Sequence, residues 1–314
     1  MRGAAGPAVA VRGGMHKTLA FAVLTTVLAV SSSIARAEPA PVVGGSTVTK
    51  GAWPDAVAVL AQTAACTGTL IAPDVVLTAG HCIEVSPVEV IVDSVDYAQR
   101  GGEVIRVKSA TAYPDWQHAY DVGVLVLEHP AAAKPRAIAS PCTAKELVVD
   151  AKVRVVGFGL TTQAGTGDNT KLHQAMLTVT DPTCAGDPSC AAAIAPAGEF
   201  MAGGDGKDAC FGDSGGPIYL GDALIGVVSR GVASAGKPCG GGGIYVRADT
   251  VAGWIEHVTK RKLTRASCDK ADGDGDATAS DGGCAATGGA GLPVAFAGLA
   301  GLAGIARVRR RRRA

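Results

Sequence analysis

The chain has 314 residues, 47% of them hydrophobic and only 4% aromatic, with 43 glycines and a formal net charge of +1. That balance fits one medium-sized core with attached ends, richer in strand and turn than in helix. It gives no reason to expect a nucleic-acid partner, because the one basic block is the arginine run at the C-terminus.

Met15-His16-Lys17, the apolar stretch 18–30 and the small-x-small triplet Ala35-Arg36-Ala37 form the three parts of a secretory signal peptide over 15–37. A buried helix is the alternative, and residues 1–14 read as an upstream extension. Nine cysteines behind such a leader point to an oxidising compartment, and their odd number leaves at least one unpaired. Short β-patterned runs broken by Gly and Pro follow at 56–69 and 74–78, then at 88–92, 104–107, 122–127 and 153–156. No long helical period intervenes, so the pattern is that of an all-β barrel or sandwich domain, not of βαβ units. Only over 251–263 do apolar residues (Val251, Trp254, Ile255, Val258) recur at helical spacing.

Three stretches carry chemistry. Gly212-Asp213-Ser214-Gly215-Gly216-Pro217 sets a serine between glycines, after an acid and before a β-patterned run at 218–229. Glycines beside a nucleophile let backbone N–H groups approach a substrate carbonyl, although the string alone also suits a surface turn. Leu77-Thr78-Ala79-Gly80-His81-Cys82 closes an apolar run on a histidine, and Tyr120-Asp121 sets an acid at the mouth of 122–127. A hydroxyl is a poor nucleophile until a base takes its proton, and that base needs an acid to fix its tautomer. Ser214, His81 and Asp121 fill these roles. Against this, a lone histidine is more often structural, and Asp121 could simply cap its strand. His16, His118, His129, His173 and His257 read as ordinary solvated or packed residues. Gly212-x-Ser214-x-Gly216 also fits a nucleophile elbow, which would recruit Asp249 and His257. That arrangement needs a helix straight after the serine, where this chain has Gly-Gly-Pro.

Over 42–263 these motifs resemble the trypsin/chymotrypsin family of serine endopeptidases. The resemblance implies two six-stranded antiparallel β-barrels with a closing helix, and the triad His81, Asp121 and Ser214 at their junction. It also implies an oxyanion site at the N–H groups of Gly212 and Ser214, protein or peptide substrates, and neither cofactor nor metal; we expect a monomer. Val42-Val43-Gly44-Gly45 resembles the family's new N-terminus, whose freed amino group would pair with Asp213, leaving 38–41 as a short propeptide. A buried carboxylate at Asp213 needs such a cation, since an unpaired buried charge is costly. No Arg or Lys precedes Val42, and Glu38-Pro39 and Ala40-Pro41 are dipeptides that a dipeptidyl aminopeptidase could trim in turn.

By the same resemblance Cys66 pairs with Cys82 and Cys210 with Cys239, and Ser229 hydrogen-bonds Asp121. Gly231 and Gly243 wall the primary specificity pocket, and Asp208, six residues before Ser214, lies at its bottom. Ala209 follows where trypsins often have serine, which favours arginine over lysine in the pocket. The chain departs from the family at Phe158 in Gly157-Phe158-Gly159, at Arg230 where a tryptophan is usual, and at Met201 where a cysteine is usual. Cys184 and Cys190 flank Asp187-Pro188 closely enough to staple that loop instead. A protease-like surface binder is the rival reading. Such proteins usually lose a triad member, and here all three are present.

Past Leu263 the Asp- and Gly-rich stretch 264–287 lacks the apolar content of a core and reads as a linker. Asp272-Gly273-Asp274-Gly275-Asp276 starts like a calcium loop but lacks the glycine and glutamate that complete one. Cys142 has no partner in the family pattern, and pairing with Cys268 would leave Cys284 free. Residues 288–314 combine an apolar span, near the ~20 residues a bilayer requires, with an arginine cluster that would stay cytoplasmic. Together with Cys284 they resemble the sorting tails of myxobacterial surface proteins. That implies a secreted or cell-surface protein whose tail is membrane-inserted or processed by a sorting enzyme, a plain permanent anchor being the alternative.

Overall fold

The computed structural model describes residues 41–232 and 237–268. The signal-like segment, the calcium-like stretch, Cys284 and the C-terminal span lie outside the described residues. The chain divides into two compact units after Asp269, and every described residue belongs to the first.

Two closed six-stranded barrels make up this unit. The first consists of β2 (Ala56–Leu60), β3 (Ala65–Ala72), β4 (Val75–Thr78), β5 (Glu89–Val92), β6 (Glu103–Ala112) and β7 (Gly123–Leu127), closed in the order β2-β3-β4-β7-β6-β5. Strands β2, β3 and β4 are buried on both faces, whereas β6 is largely exposed. Val57 and Val59 pack with Leu70, Val90 and Leu125, while Ala56 and Ala58, pointing the other way, pack with Ile71 and Leu77. A strand covered on both sides needs apolar residues at every position, which is why 56–60 reads as a continuous apolar run.

The second barrel consists of β8 (Lys152–Gly157), β9 (His173–Asp181), β10 (Glu199–Ala202), β11 (Pro217–Leu220), β12 (Ala223–Gly231) and β13 (Gly243–Arg247), closed by the β8–β9 pairing. The short β1 (Ser46–Thr47) adds to β9. Val153, Val155, Leu177, Val179, Phe200, Ile218 and Tyr245 fill its interior. The apolar run at 218–229 is therefore a hairpin, β11 and β12. The pairing within both barrels is antiparallel throughout.

Four local features differ from the sequence reading. β6 runs well past Val107, and β9 and β10 carried no strand signal that the pattern made visible. The closing helix (Ala248–Thr259) stops before Leu263, because Lys260 turns left-handed at φ 57°. Residues 264–268, assigned by composition to the linker, are tied to the barrel body. The Ile138 N–H donates to the Thr264 carbonyl (2.9 Å), the Ala266 N–H donates to the Ile138 carbonyl (2.8 Å), and Cys268 is bridged to Cys142. The other disulfides among the described residues are Cys66–Cys82, Cys184–Cys190 and Cys210–Cys239. No helix among the described residues is long and apolar enough to cross a membrane.

Candidate active site

His81 lies on a short helix (Gly80–Glu84) that follows β4, pinned from below by the Cys66–Cys82 bridge. Asp121 precedes β7 and is buried. The His81 ring Nδ1 is 2.9 Å from Asp121 Oδ2, the His81 backbone N–H donates to Oδ1 (3.0 Å), and the Ser229 hydroxyl donates to Oδ2 (2.7 Å). Burial by itself would raise the Asp121 pKa. The hydrogen bonds and charge of His81 and the Ser229 hydroxyl outweigh it and hold the carboxyl below its ordinary value. A carboxylate that accepts at Nδ1 leaves Nε2 as the ring's free basic nitrogen.

Ser214 lies in the turn before β11, and Thr67 of the first barrel clamps that turn. The Thr67 N–H donates to the Ser214 carbonyl (2.9 Å), and its hydroxyl donates to the Gly212 carbonyl (2.8 Å) while accepting from the Phe158 N–H (3.1 Å). Gly212 has φ +101°, a conformation that a residue with a Cβ rarely adopts. The N–H groups of Gly212 and Ser214 donate to no acceptor among the described residues. Ser214, His81 and Asp121 line one cleft of about 430 Å³, together with Asp208, Ala209, Ser229 and Gly231. No hydrogen bond joins the Ser214 hydroxyl to the His81 ring among the described residues. Such bonds are often loose before substrate arrives. Neither Asp249 nor His257 lines the cleft, and Asp249 is held instead by Arg247 (2.7 Å).

Asp213, directly before the serine, is fully buried. Its oxygens accept from the N–H groups of Gly159 (2.8 Å) and Cys210 (2.9 Å). A Cβ on Gly157 or Gly159 would collide with this carboxylate, which explains the paired glycines around Phe158. Burial pushes the Asp213 pKa up to about 7 against those N–H groups. Val42 is completely buried in the second barrel's core, and Val43 packs on the Cys210–Cys239 bridge.

Asp208 is buried and lines the cleft. Its Oδ2 accepts from the N–H groups of Gly240 (3.0 Å) and Gly242 (3.2 Å), whereas Oδ1 is buried without a partner, as is the Tyr245 hydroxyl. Burial raises the Asp208 pKa to about 6, the N–H groups of Gly240 and Gly242 pulling the other way. A Cβ on Gly243, which does not itself line the cleft, would meet the Tyr245 hydroxyl at 2.8 Å and Asp208 Oδ1 at 3.2 Å, so only glycine fits against them there.

Among the described residues, the two groups of side chains spaced for a metal are Cys66, His81 and Cys82, and Cys184, Cys190 and Glu199. Their sulfurs are all in disulfides, which leaves no thiolate to ligate. Of the remaining histidines, His118 pairs with Asp115 on the surface (2.7 Å), while His173 is buried in β9. The sequence reading did not single out Thr67, Glu199 or Trp116, which also lines the cleft. Thr67 was legible only as a polar residue inside an apolar run. Nothing local marks Glu199, whose partner Arg230 is 31 residues away.

A family model described as Trypsin matches residues 42–255. Among characterised relatives, the protein named trypsin from Saccharopolyspora erythraea is 33% identical over 193 residues, covering 58% of this chain and 81% of that protein. Trypsin theta of Drosophila melanogaster is 31% identical over 234 residues, covering 70% of this chain and 86% of its own. The solved structure of neuropsin, a serine protease of mouse brain, shares the fold with a TM-score of 0.59 at 24% identity, over 68% of this chain and 98% of that one. With the barrels, the cleft and these likenesses together, the chain belongs to the trypsin family of serine endopeptidases.

Proposed function

We propose that this enzyme is exported and cleaves peptide bonds after arginine, and more weakly after lysine, through His81, Asp121 and Ser214. The observation that carries the specificity is the buried, unpartnered Oδ1 of Asp208, which lines the cleft. A buried acceptor without a partner is costly, and a substrate guanidinium supplies both the missing donor and the missing charge. Ala209 offers no hydroxyl to a lysine ammonium, whose shorter reach then leaves it a partner short, by about 1 kcal/mol for a neutral hydrogen bond.

In the reaction, His81 Nε2 takes the Ser214 proton as Oγ attacks the scissile carbonyl, and the C=O electron pair moves onto oxygen. The N–H groups of Gly212 and Ser214, free of other acceptors, support their assignment as donors to that oxyanion. The imidazolium, stabilised by Asp121, passes the proton to the leaving amine. Water then repeats the sequence on the acyl-enzyme and restores Ser214. Neither cofactor nor metal enters these steps.

Activation is read as a cut before Val42, after removal of 38–41. Asp213, buried and raised to about 7, is the group a freed amino terminus would neutralise. The leader at 15–37 would direct export, and the segment 288–314 would anchor the protein or be removed by a sorting enzyme. Matched chromogenic peptides that differ only in Arg, Lys or Phe before the cut test the specificity. Arginine is expected to lead, with lysine several-fold slower, and equal rates with Phe and Arg would sink the assignment of Asp208.

A further inference from the structure

Arg230 follows Ser229 on β12 and borders two hollows. One is the cleft holding His81 and Ser214. The other, of about 420 Å³, is lined by Trp116, His118, Ser189 and Ala191 among others. A guanidinium carries five N–H donors. Here all five are engaged inside the protein. Nη1 donates to Glu199 Oε1 (2.7 Å) and Ser229 Oγ (3.0 Å), Nη2 to Glu199 Oε2 (3.0 Å) and the Ser189 carbonyl (2.6 Å), and Nε to the Ser189 carbonyl (3.1 Å). The Glu199 side chain is only 1% exposed, and its Oε2 also accepts from the Ala191 N–H (2.7 Å). Although Arg230 lines the second hollow, it retains no donor for a substrate carboxylate.

Those bonds lead to two places. The Ser189 carbonyl belongs to the loop closed by Cys184–Cys190, so the guanidinium fixes that wall against β12. Ser229 is the second. A hydroxyl has one proton and two lone pairs, and Ser229 gives its proton to Asp121 Oδ2. By donating to Oγ, Arg230 occupies a lone pair, so the proton can only point away from it, toward Asp121. A charged donor also polarises the hydroxyl and strengthens the bond it makes. The chain of contacts then runs without a break from Glu199 through Arg230, Ser229 and Asp121 to the His81 ring.

We propose that the Arg230–Glu199 pair is a positioning device for catalysis, setting the Ser229 hydroxyl on Asp121 and through it the orientation of His81. This rests on the triad reading given above. Arg230 touches no substrate in this account; its effect belongs to kcat.

The test uses the activated full chain, with active sites counted by an organophosphonate titrant. The double variant Arg230→Gln/Glu199→Gln removes both charges together, because Arg230→Gln alone would strand a buried carboxylate. Two substrates are compared: a blocked single-residue arginine amide that fills only the primary pocket, and a tetrapeptide amide ending in the same arginine. The expected result is a five- to tenfold lower kcat per titrated site on the single-residue amide, with KM within twofold of wild type. Unchanged kcat on that amide overturns the proposal, and so does a loss confined to KM for the tetrapeptide, which would make the pair only a wall. Should the double variant not fold, Arg230→Lys keeps the charge with three donors and is expected to lose two- to threefold in kcat; wild-type kcat there overturns the proposal equally. A wild-type chain inert to both substrate and titrant would instead end the triad reading, and this inference with it.

Discussion

Replacing Asp208 by asparagine tests the proposed specificity at constant shape. Asp208 is 2% exposed, its Oδ2 is held by Gly240 and Gly242, and its Oδ1 has no partner. The asparagine carbonyl can keep the two backbone N–H bonds, which turns its NH₂ toward the position of Oδ1. A substrate guanidinium then meets a donor where it needs an acceptor. A hydrogen bond to a charged group contributes about 1.5–3 kcal/mol, so losing a two-pronged contact costs about 3–6 kcal/mol. At about 1.4 kcal/mol per factor of ten, kcat/KM for an arginine peptide should fall roughly 10²- to 10⁴-fold. Turnover of a phenylalanine peptide should hold or rise. The pH dependence has a definite sign. With its pKa at about 6 in the empty cleft, Asp208 is ionised above that pH and neutral below it. KM for the arginine peptide should therefore climb as pH falls through 6 in wild type and stay flat in Asp208→Asn. The assay is initial-rate kinetics on matched chromogenic peptides between pH 5 and 8. An asparagine variant within threefold of wild type on arginine would refute the argument.

Five further outcomes are expected. Ser214→Ala and His81→Ala should each abolish peptide cleavage with the melting curve unchanged, and near wild-type turnover in either would remove the triad. N-terminal sequencing of active material should begin at Val42. In the uncut chain the raised Asp213 pKa means stability present below pH 3.8 is lost as pH rises through about 7, so Asp213→Asn should stabilise uncut protein at pH 8 in urea melts; no gain there would show the charge is already compensated. Removing the Cys142–Cys268 bridge by paired serines opens a loop with a sequence separation of 126, which chain entropy values at about 5 kcal/mol, so the urea midpoint should drop clearly while activity at 25 °C survives. His173, buried with its pKa pushed down from 6.5 to about 4, stays neutral in the fold, so its contribution is full above pH 6.5 and lost as pH falls through 4. His173→Gln should thus reduce acid destabilisation by about 2 kcal/mol at pH 4.5, and an unaltered acid limb in urea melts would contradict it.

The sequence by itself determined the strings that carry the proposed triad and most of the first barrel. Ser214 among glycines, His81 at the end of β4 and Asp121 ahead of β7 are legible because each sits in a local context that its proposed role requires. The barrel strands are legible because burial on two faces forces unbroken apolar runs such as 56–60. The local Cys184–Cys190 staple is legible because the cysteines are separated by only 6 residues. Tertiary structure alone decided what depends on residues far apart in the chain. β10 is four residues long and carries a charge, and Glu199 is tolerable there only because Arg230 of β12 reaches it with two nitrogens. β9 alternates polar and apolar side chains around His173, so its period is weak against the neighbouring turns. Thr67 becomes part of the site because packing the barrels together brings its hydroxyl to Gly212, 145 residues away. Composition placed 264–268 outside the domain, since polar residues there carry no apolar signal; a backbone bridge to Ile138 and a disulfide to Cys142 hold them in. Residue type and nearest neighbours govern the first set of features. The second set is governed by pairing energies between groups that only the closed barrels bring within bonding distance.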